Sequence, residues 1–592
     1  MICRCSPLRR WSVALAVVMF LSGGLTPVAL AERPSAPRLL PQTTLAVVSV
    51  TDVPDLVERF RNTATGKMLR DPQLKPLVDQ LYGSLLEATD QLKDRIGLSL
   101  SELLAIPQGE ITVALVAVEE REPAILALID VGDQLPNAQK LLKRGTDELE
   151  RSNAAKSEQT VSGTKMVIYD GVGPRRRKIA YFEKDGTFVL SSDVDVLKQV
   201  LTVWNGGEGE VLAGNPRFAA VMQRCRDSAA QHPQVALYAD PIGIVHAVGQ
   251  RNTGAQVALA ILPVLGVDGL KAVGGTLFLD TAQFDSVAHA HVLLDSPRAG
   301  VLKMIALEPG DVTPERWVPP DVAAYITVNW DVQKTFDTLS TVFDSFRGEG
   351  ALAKALERRI LGPTGIDFEK EVIRSLAGRI TMVTWIERPV TMQSQRMMLG
   401  LKVKDAAAVE GALEKIFKLK ELPLVRETFA GKQYYQVRIP QLEELPAERR
   451  PPLPCFGVLD DTLLVANGPS LYRQAVTTWT DGSRSLADEL DFKLIASKIR
   501  RRSGGNKPAM IVFERPEEGM RFLYELATSE RTRQQLREQS ENNRFFKTLD
   551  TALKDNPLPP FEVLLQYLAP TGAMVVDDET GIHYTAFGMR RQ

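Results

Sequence analysis

The 592-residue chain predicts an α+β fold, with two homologous tandem domains, each a mainly antiparallel curved sheet with helices packed on one face. Three observations carry this prediction. Short apolar-alternating runs follow one another with turn-length connections, which suits antiparallel pairing because parallel strands need long crossovers. Other stretches place apolar residues three, four and seven apart, as amphipathic helices do. The same succession of landmarks also passes twice, from Leu40 to about Ala306 and from Val318 to Gln592.

In the first copy, Leu45–Val50 alternates as a strand. Leu74, Leu77, Val78, Leu81, Leu85 and Leu92 then share one helical face. Ile111–Val118 and Ala124–Val131 form a hairpin across the charged tip Glu119, Glu120, Arg121 and Glu122. A helix over Ala138–Glu150 precedes short strands around Val161 and over Met166–Tyr169, Lys178–Glu183 and Phe188–Ser191. Asp185 and Gly186 supply the tight turn between the last two. Asp193 is placed to cap a helix reaching Trp204, since its carboxylate can accept the first free backbone N–H groups. A helix over Phe218–Arg226, a strand over Val235–Ala239 and two long strands, Ala272–Asp280 and Ser286–Leu294, close the copy.

The second copy repeats this order. Leu45–Val50 answers to Ala324–Val328, Gly109–Val113 to Gly378–Met382, and Leu126–Asp130 to Leu399–Val403. Ser162 and Gly163 answer to Ala430 and Gly431, and Asp185–Leu190 to Asp460–Val465. Trp204 and Trp479 are separated by the same interval as the turn pairs Asp240-Pro241 and Arg515-Pro516. Two units of this length make a pair of domains, not a solenoid. The predicted organisation is a signal peptide over 1–31, a linker over 32–40, a first repeat over 41–307, a proline-rich linker over 308–319 and a second repeat over 320–592.

Apolar residues at 44% and charged residues at 24% describe an ordinary globular composition. A formal net charge of −2 gives no global reason to expect a polyanionic partner. Arg4, Arg9 and Arg10 precede an apolar run from Trp11 to Leu21, and Val28 to Ala31 supplies the small residues for cleavage after Ala31. The mature chain is therefore expected to be exported, periplasmic or secreted, with no transmembrane span. Val257–Leu279, the other apolar stretch, is broken by Pro263, Asp268 and Lys271 and reads as helix, turn and strand. Cys225 and Cys455 read as buried thiols.

The catalytic signatures with a recognisable spacing are missing: no Gly-x-Ser-x-Gly elbow, no phosphate-cradling glycine loop, no His-Glu-x-x-His and no Cys-x-x-Cys. His289 and His291 share one face of a strand and could meet one metal. With no third ligand fixed by the sequence, they read instead as solvent-facing residues of an edge strand, and no catalytic residue or cofactor is assigned. Arg175, Arg176, Arg177 and Lys178 precede one strand, and Arg449 and Arg450 the corresponding strand of the second copy; Lys498 to Arg502 adds a further cluster. Such cations could grip an anionic envelope polymer or lipid head groups. Acids nearby would make them an ordinary solvated surface. Absent aromatic interleaving and the export signal argue against nucleic acid.

The export signal, the run Leu-Pro-x-x-Thr-Leu-Ala-Val-Val-Ser-Val from Leu40, Ile96-Gly97-Leu98, and Gly-Glu-Ile-Thr-Val-Ala-Leu from Gly109 together resemble an exported bacterial family of unknown function common in planctomycete-type genomes. The resemblance implies an envelope or secreted location and transfers no catalytic residues. The function expected is a non-catalytic exported envelope protein, a binding or scaffold module for a hydrophobic or anionic envelope ligand or component. Two other classes compete with it. An exported hydrolase would bring carboxylates, or His289 with His291, together from distant positions. An inhibitor or regulator of another exported protein would expose an apolar patch.

Overall fold

The computed structural model describes residues 33–88, 100–172, 177–227, 231–249, 253–419, 422–443, 451, 453–482, 484–530, 533–534, 537–538 and 544–591. The predicted signal peptide, Ile96–Leu98, Arg175, Arg176, Arg449 and Arg450 lie outside the described residues. No described helix is long and apolar enough to cross a membrane. In the first half the strands are β1 (Thr44–Val50), β2 (Ile111–Val116), β3 (Ala124–Asp130), β4 (Ala155–Val161), β5 (Thr164–Val172), β6 (Arg177–Lys184), β7 (Thr187–Ser191), β8 (Val235–Ala239), β9 (Leu270–Leu279) and β10 (Phe284–Leu294). In the second they are β11 (Ala324–Asn329), β12 (Leu376–Ile386), β13 (Gln395–Val403), β14 (Leu424–Phe429), β15 (Lys432–Val437), β16 (Cys455–Leu459), β17 (Thr462–Ala466), β18 (Met510–Glu514), β19 (Thr571–Asp578) and β20 (Gly581–Met589).

Every pairing is antiparallel. From one end the strands run β4, β5, β6, β7, β3, β2, β1, β8, β9, β10. They continue β20, β19, β18, β11, β12, β13, β17, β16, β15, β14. The order reads the same from either end when each strand of one half is matched to the strand at the same place in the other. Local chemistry repeats too. Asp185 and Gly186, and Ser162 and Gly163, all take positive φ in tight hairpin turns, and Ala430 and Gly431 do the same between β14 and β15.

Registers follow one plan. Ser49 stands between Thr112 and Ala236, and Thr327 between Thr381 and Ile511. The first row continues from Ala236 through Thr276 to His289, the second from Ile511 through Met574 to Thr585. His289 and Thr585 then pair with each other. Corresponding residues thus meet at the centre, as they do across a two-fold interface.

Two expectations about the sheet are corrected. Among the described residues it is one continuous sheet of twenty strands and is not curled. The physical reason lies in β10 and β20: each saturates the other's free edge, so neither has unpaired backbone to satisfy by curling. Helices also cover both faces, not one. Adjacent strand residues point to opposite faces, and in β7 Phe188 packs with Ala138 of α1 (Leu135–Arg151) while Val189 packs with Leu197 and Val200 of α2 (Val194–Trp204). Strands buried on both sides need cover on both. Farther along, α3 (Pro216–Arg224) lies against β9 and β10. The second half has α4 (Ala406–Phe417) on one face, and α5 (Pro469–Asp481) and α6 (Leu490–Arg502) on the other. Its core takes in Phe278, Phe284 and Val287, so the apolar interior crosses the seam. Cys225 and Cys455 are buried and free, as expected, and burial pushes both thiols up to about 12.

A buried polar cluster anchors each half at the same place. The Ser49 and Thr112 hydroxyls lie 2.7 Å apart, each within 3.1 Å of Glu110 Oε1, and Arg33 pairs with that carboxylate at 2.6 Å. In the second half the Thr327 and Thr381 hydroxyls are 2.9 Å apart, and the charged residue two positions before Thr381 is Arg379. Arg379 meets Glu315 at 3.0 Å, Asp311 at 3.3 Å and the Tyr325 hydroxyl at 3.0 Å. The location is shared and the sign of the charge is reversed. Removing one member of a buried pair strands the other, so Arg379→Met is expected to destabilise the protein by about 3–5 kcal/mol in chemical denaturation. Adding Glu315→Leu should recover most of that loss. A double variant no more stable than the single would refute the pairing.

Candidate functional site

The seam between β10 and β20 is also where ionisable side chains gather. Strand geometry puts His289 and His291 on one face, and the register sets Thr585 opposite His289 and His583 opposite His291. The edge-strand reading of the two histidines is overturned: β10 has β9 on one side and β20 on the other, and His289 and His291 are 7% and 1% exposed. The second half contributes His583.

The three side chains His289, His583 and Thr585 form a tight triangle. His289 Nδ1 lies 3.3 Å from His583 Nε2 and 3.2 Å from Thr585 Oγ1, and Thr585 Oγ1 lies 3.2 Å from His583 Nε2. Phe278 meets the His289 ring edge-on at 6.1 Å. His289 Nε2 has no hydrogen-bond partner among the described residues; Asp227 Oδ1 is the nearest acid, at 3.9 Å. Among the described residues no group of three His, Cys, Asp or Glu side chains is disposed to hold a metal ion.

Above these histidines opens a cleft of about 630 Å³. Its rim comes from the C-terminal end of α3 and the segment after it (Arg224, Arg226, Asp227) and from α6 (Lys498, Arg501, Arg502). Gly274 permits this arrangement, because a Cβ there would strike Val221 of α3 at 2.6 Å and the Leu237 carbonyl at 2.7 Å. Arg502 bridges to Asp227 at 2.9 Å and lies over the Phe284 ring at 4.7 Å. These two residues stand equally far before Asp240 and Arg515, so the bridge joins corresponding positions. Arg224 pairs with Asp578. Arg226, Lys498 and Arg501 have no carboxylate partner among the described residues, which leaves the rim with uncompensated positive charge.

Of the basic residues singled out in the sequence, Lys498 to Arg502 supplies half of this rim. Arg177 and Lys178 stand elsewhere, at the exposed start of β6, paired with Glu122 at 2.8 Å and Asp170 at 3.2 Å. Sequence reading missed Arg224, Arg226, Asp227 and Thr585. The signal for Arg226 and Asp227 was present: they sit at the same interval from Arg501 and Arg502 that separates Trp204 from Trp479.

Burial sets the protonation of His583 and His291. His583 is pulled down from 6.5 to about 3, first by burial, then by His289, Arg224 and His291, with Asp578 opposing. His291 is lowered as well, again chiefly by burial. An unfolded histidine gains a proton near its ordinary value while folded His583 stays neutral, so this contribution to stability is full above about pH 6.5 and is lost as pH falls toward 3. Over that window His583→Gln should reduce the acid slope by up to about 1.4 kcal/mol per pH unit, seen in denaturation midpoints. Equal slopes in the two proteins would show that the residue does not titrate this way.

No curated protein and no solved structure matches the chain. Residues 317–544 match the model of a protein family of unknown function (DUF3352). That span runs from Trp317 through β18 and includes Arg379 and α6, and it ends before His583 and Thr585. The chain thus carries a DUF3352 domain of unknown function over these residues.

Proposed function

We propose that the protein is a non-catalytic binding module of the cell envelope, exported by its N-terminal segment and built from two halves of common origin, and that its seam cleft takes an anionic ligand. The repeated strand order and register support the common origin. The observation that carries the ligand reading is the rim: Arg226, Lys498 and Arg501 face the cleft with no carboxylate partner among the described residues, above His583, which burial keeps neutral. A cleft of about 630 Å³ suits a small phosphorylated or carboxylated group, or one unit of an anionic polymer. Calorimetric titration of the full chain with inorganic pyrophosphate should show binding that weakens with added salt. Lys498→Ala with Arg501→Ala should weaken it at least tenfold, about 1.4 kcal/mol. Unchanged affinity in that double variant would reject the assignment.

A hydrolase is the second reading, favoured by one geometric fact: Asp227, His289 and Thr585 line the same cleft as acid, base and hydroxyl. Three features weigh against it. Asp227 and His289 are 3.9 Å apart, Asp227 is held by Arg502, and Thr585 is 2% exposed. Turnover of p-nitrophenyl acetate that disappears in His289→Ala would establish the hydrolase and end the non-catalytic reading; equal background rates in both proteins are expected.

A further inference from the structure

Away from the cleft, a groove of about 1090 Å³ runs between α1 and the sheet of the first half. Ile129, Leu141, Leu142, Ile179, Phe188 and Leu190 make its walls apolar. The corresponding space under α4 is filled. Seven residues beyond buried Ala138 on α1 stands Gly145, followed by Thr146; seven beyond buried Val409 on α4 stands Ile416, followed by Phe417. The Phe417 ring packs on Tyr435 at 5.3 Å, Tyr435 stacks on Phe456 at 5.7 Å, and Arg426 lies over Phe417 at 4.6 Å. A Cβ on Gly145 would meet nothing within 4 Å. One half supplies its own apolar and aromatic filling where the other leaves room for a molecule from outside.

We infer that this groove binds a single-chain amphiphile with a zwitterionic head. The apolar wall continues beyond the groove, as a long chain requires. Leu190 lies opposite Ala127, Ala127 opposite Val113, Val113 opposite Val48 and Val48 opposite Leu237. Val113, Val48 and Leu237 are 48%, 57% and 45% exposed, an apolar strip leading out of the groove. At about 4.8 Å per strand it spans roughly 19 Å, the reach of an extended acyl chain. Charge at the groove wall suits a zwitterionic head. Arg151 is neutralised by Glu148 at 2.7 Å, whereas Arg144 and Asp147 have no ion-pair partner among the described residues. Arg144 suits a phosphate and Asp147 an ammonium group.

The site is separate from the seam cleft and stands whether or not the cleft binds anions. The test is calorimetric titration of the full chain with 1-lauroyl lysophosphatidylethanolamine below its micelle concentration. One molecule per chain is expected. Thr146→Phe and Gly145→Ile, which install the residues of the other half, should each weaken binding at least tenfold with the thermal midpoint unchanged. Asp147→Lys should weaken it as well, through repulsion of the ammonium. Should Gly145→Ile fail to fold, Thr146→Phe carries the test. Absence of saturable binding by the native chain would overturn the proposal. So would affinity that survives the groove substitutions, or that falls only with Lys498→Ala and Arg501→Ala, which would put the amphiphile in the cleft.

Discussion

The final strand of each half would end with a row of free backbone donors and acceptors, and in this chain those two rows satisfy each other. The β10–β20 ladder makes one sheet from twenty strands, draws Phe278, Phe284 and Val287 into the core of the other half, and sets α3 and α6 on either side of the join. Because the ladder is antiparallel and matches His289 with Thr585, positions that correspond by register come face to face. The cleft, its histidine floor and the Asp227–Arg502 bridge all follow from that single register.

Charge reversal between the halves is the second organising feature. Glu110 with Arg33 and Arg379 with Asp311 occupy corresponding places with opposite sign. Asp240 pairs with Arg217, while at the matching strand end Arg515 pairs with Asp491. Each buried cluster has its own counter-ion, so exchanging segments between halves would bury like charges together, at a cost of several kcal/mol. Across the seam the same charge reversal is complementary, since Asp227 and Arg502 attract where two identical residues would repel. Two similar halves thereby acquire a single way to fit.

The two cavities express different consequences of this plan. The seam cleft draws on both halves and would vanish if they separated. The groove under α1 belongs to one half and arises from small residues, Gly145 and Thr146, where the other half carries Ile416 and Phe417. Backbone pairing and core-facing positions are alike in the two halves, because they satisfy hydrogen bonds and burial in both places. Side chains over helix-to-sheet gaps are less constrained, and that is where the halves differ.

Much of the framework was legible in the chain. Strand alternation, turn chemistry at Asp185-Gly186 and Ser162-Gly163, the Asp193 cap and the recurrence of Gly109-Glu-Ile-Thr as Gly378-Arg-Ile-Thr depend on local geometry, which neighbouring residues specify. The cover on both faces was hidden, since a short apolar run does not say how many layers bury it. His289 and His291 could be placed on one strand face but not at the centre of the sheet. Whether a strand is an edge depends on which distant strand pairs with it, and Phe284–Leu294 is separated in sequence from Gly581–Met589 by the whole second half. The sequence by itself thus determined the elements and their turns, set by interactions within a few residues. Only the tertiary structure decided that the halves share one sheet, and with it the meeting of His289, His583, Thr585, Asp227 and Arg502, because that depends on long-range backbone pairing that carries no signature in either strand alone.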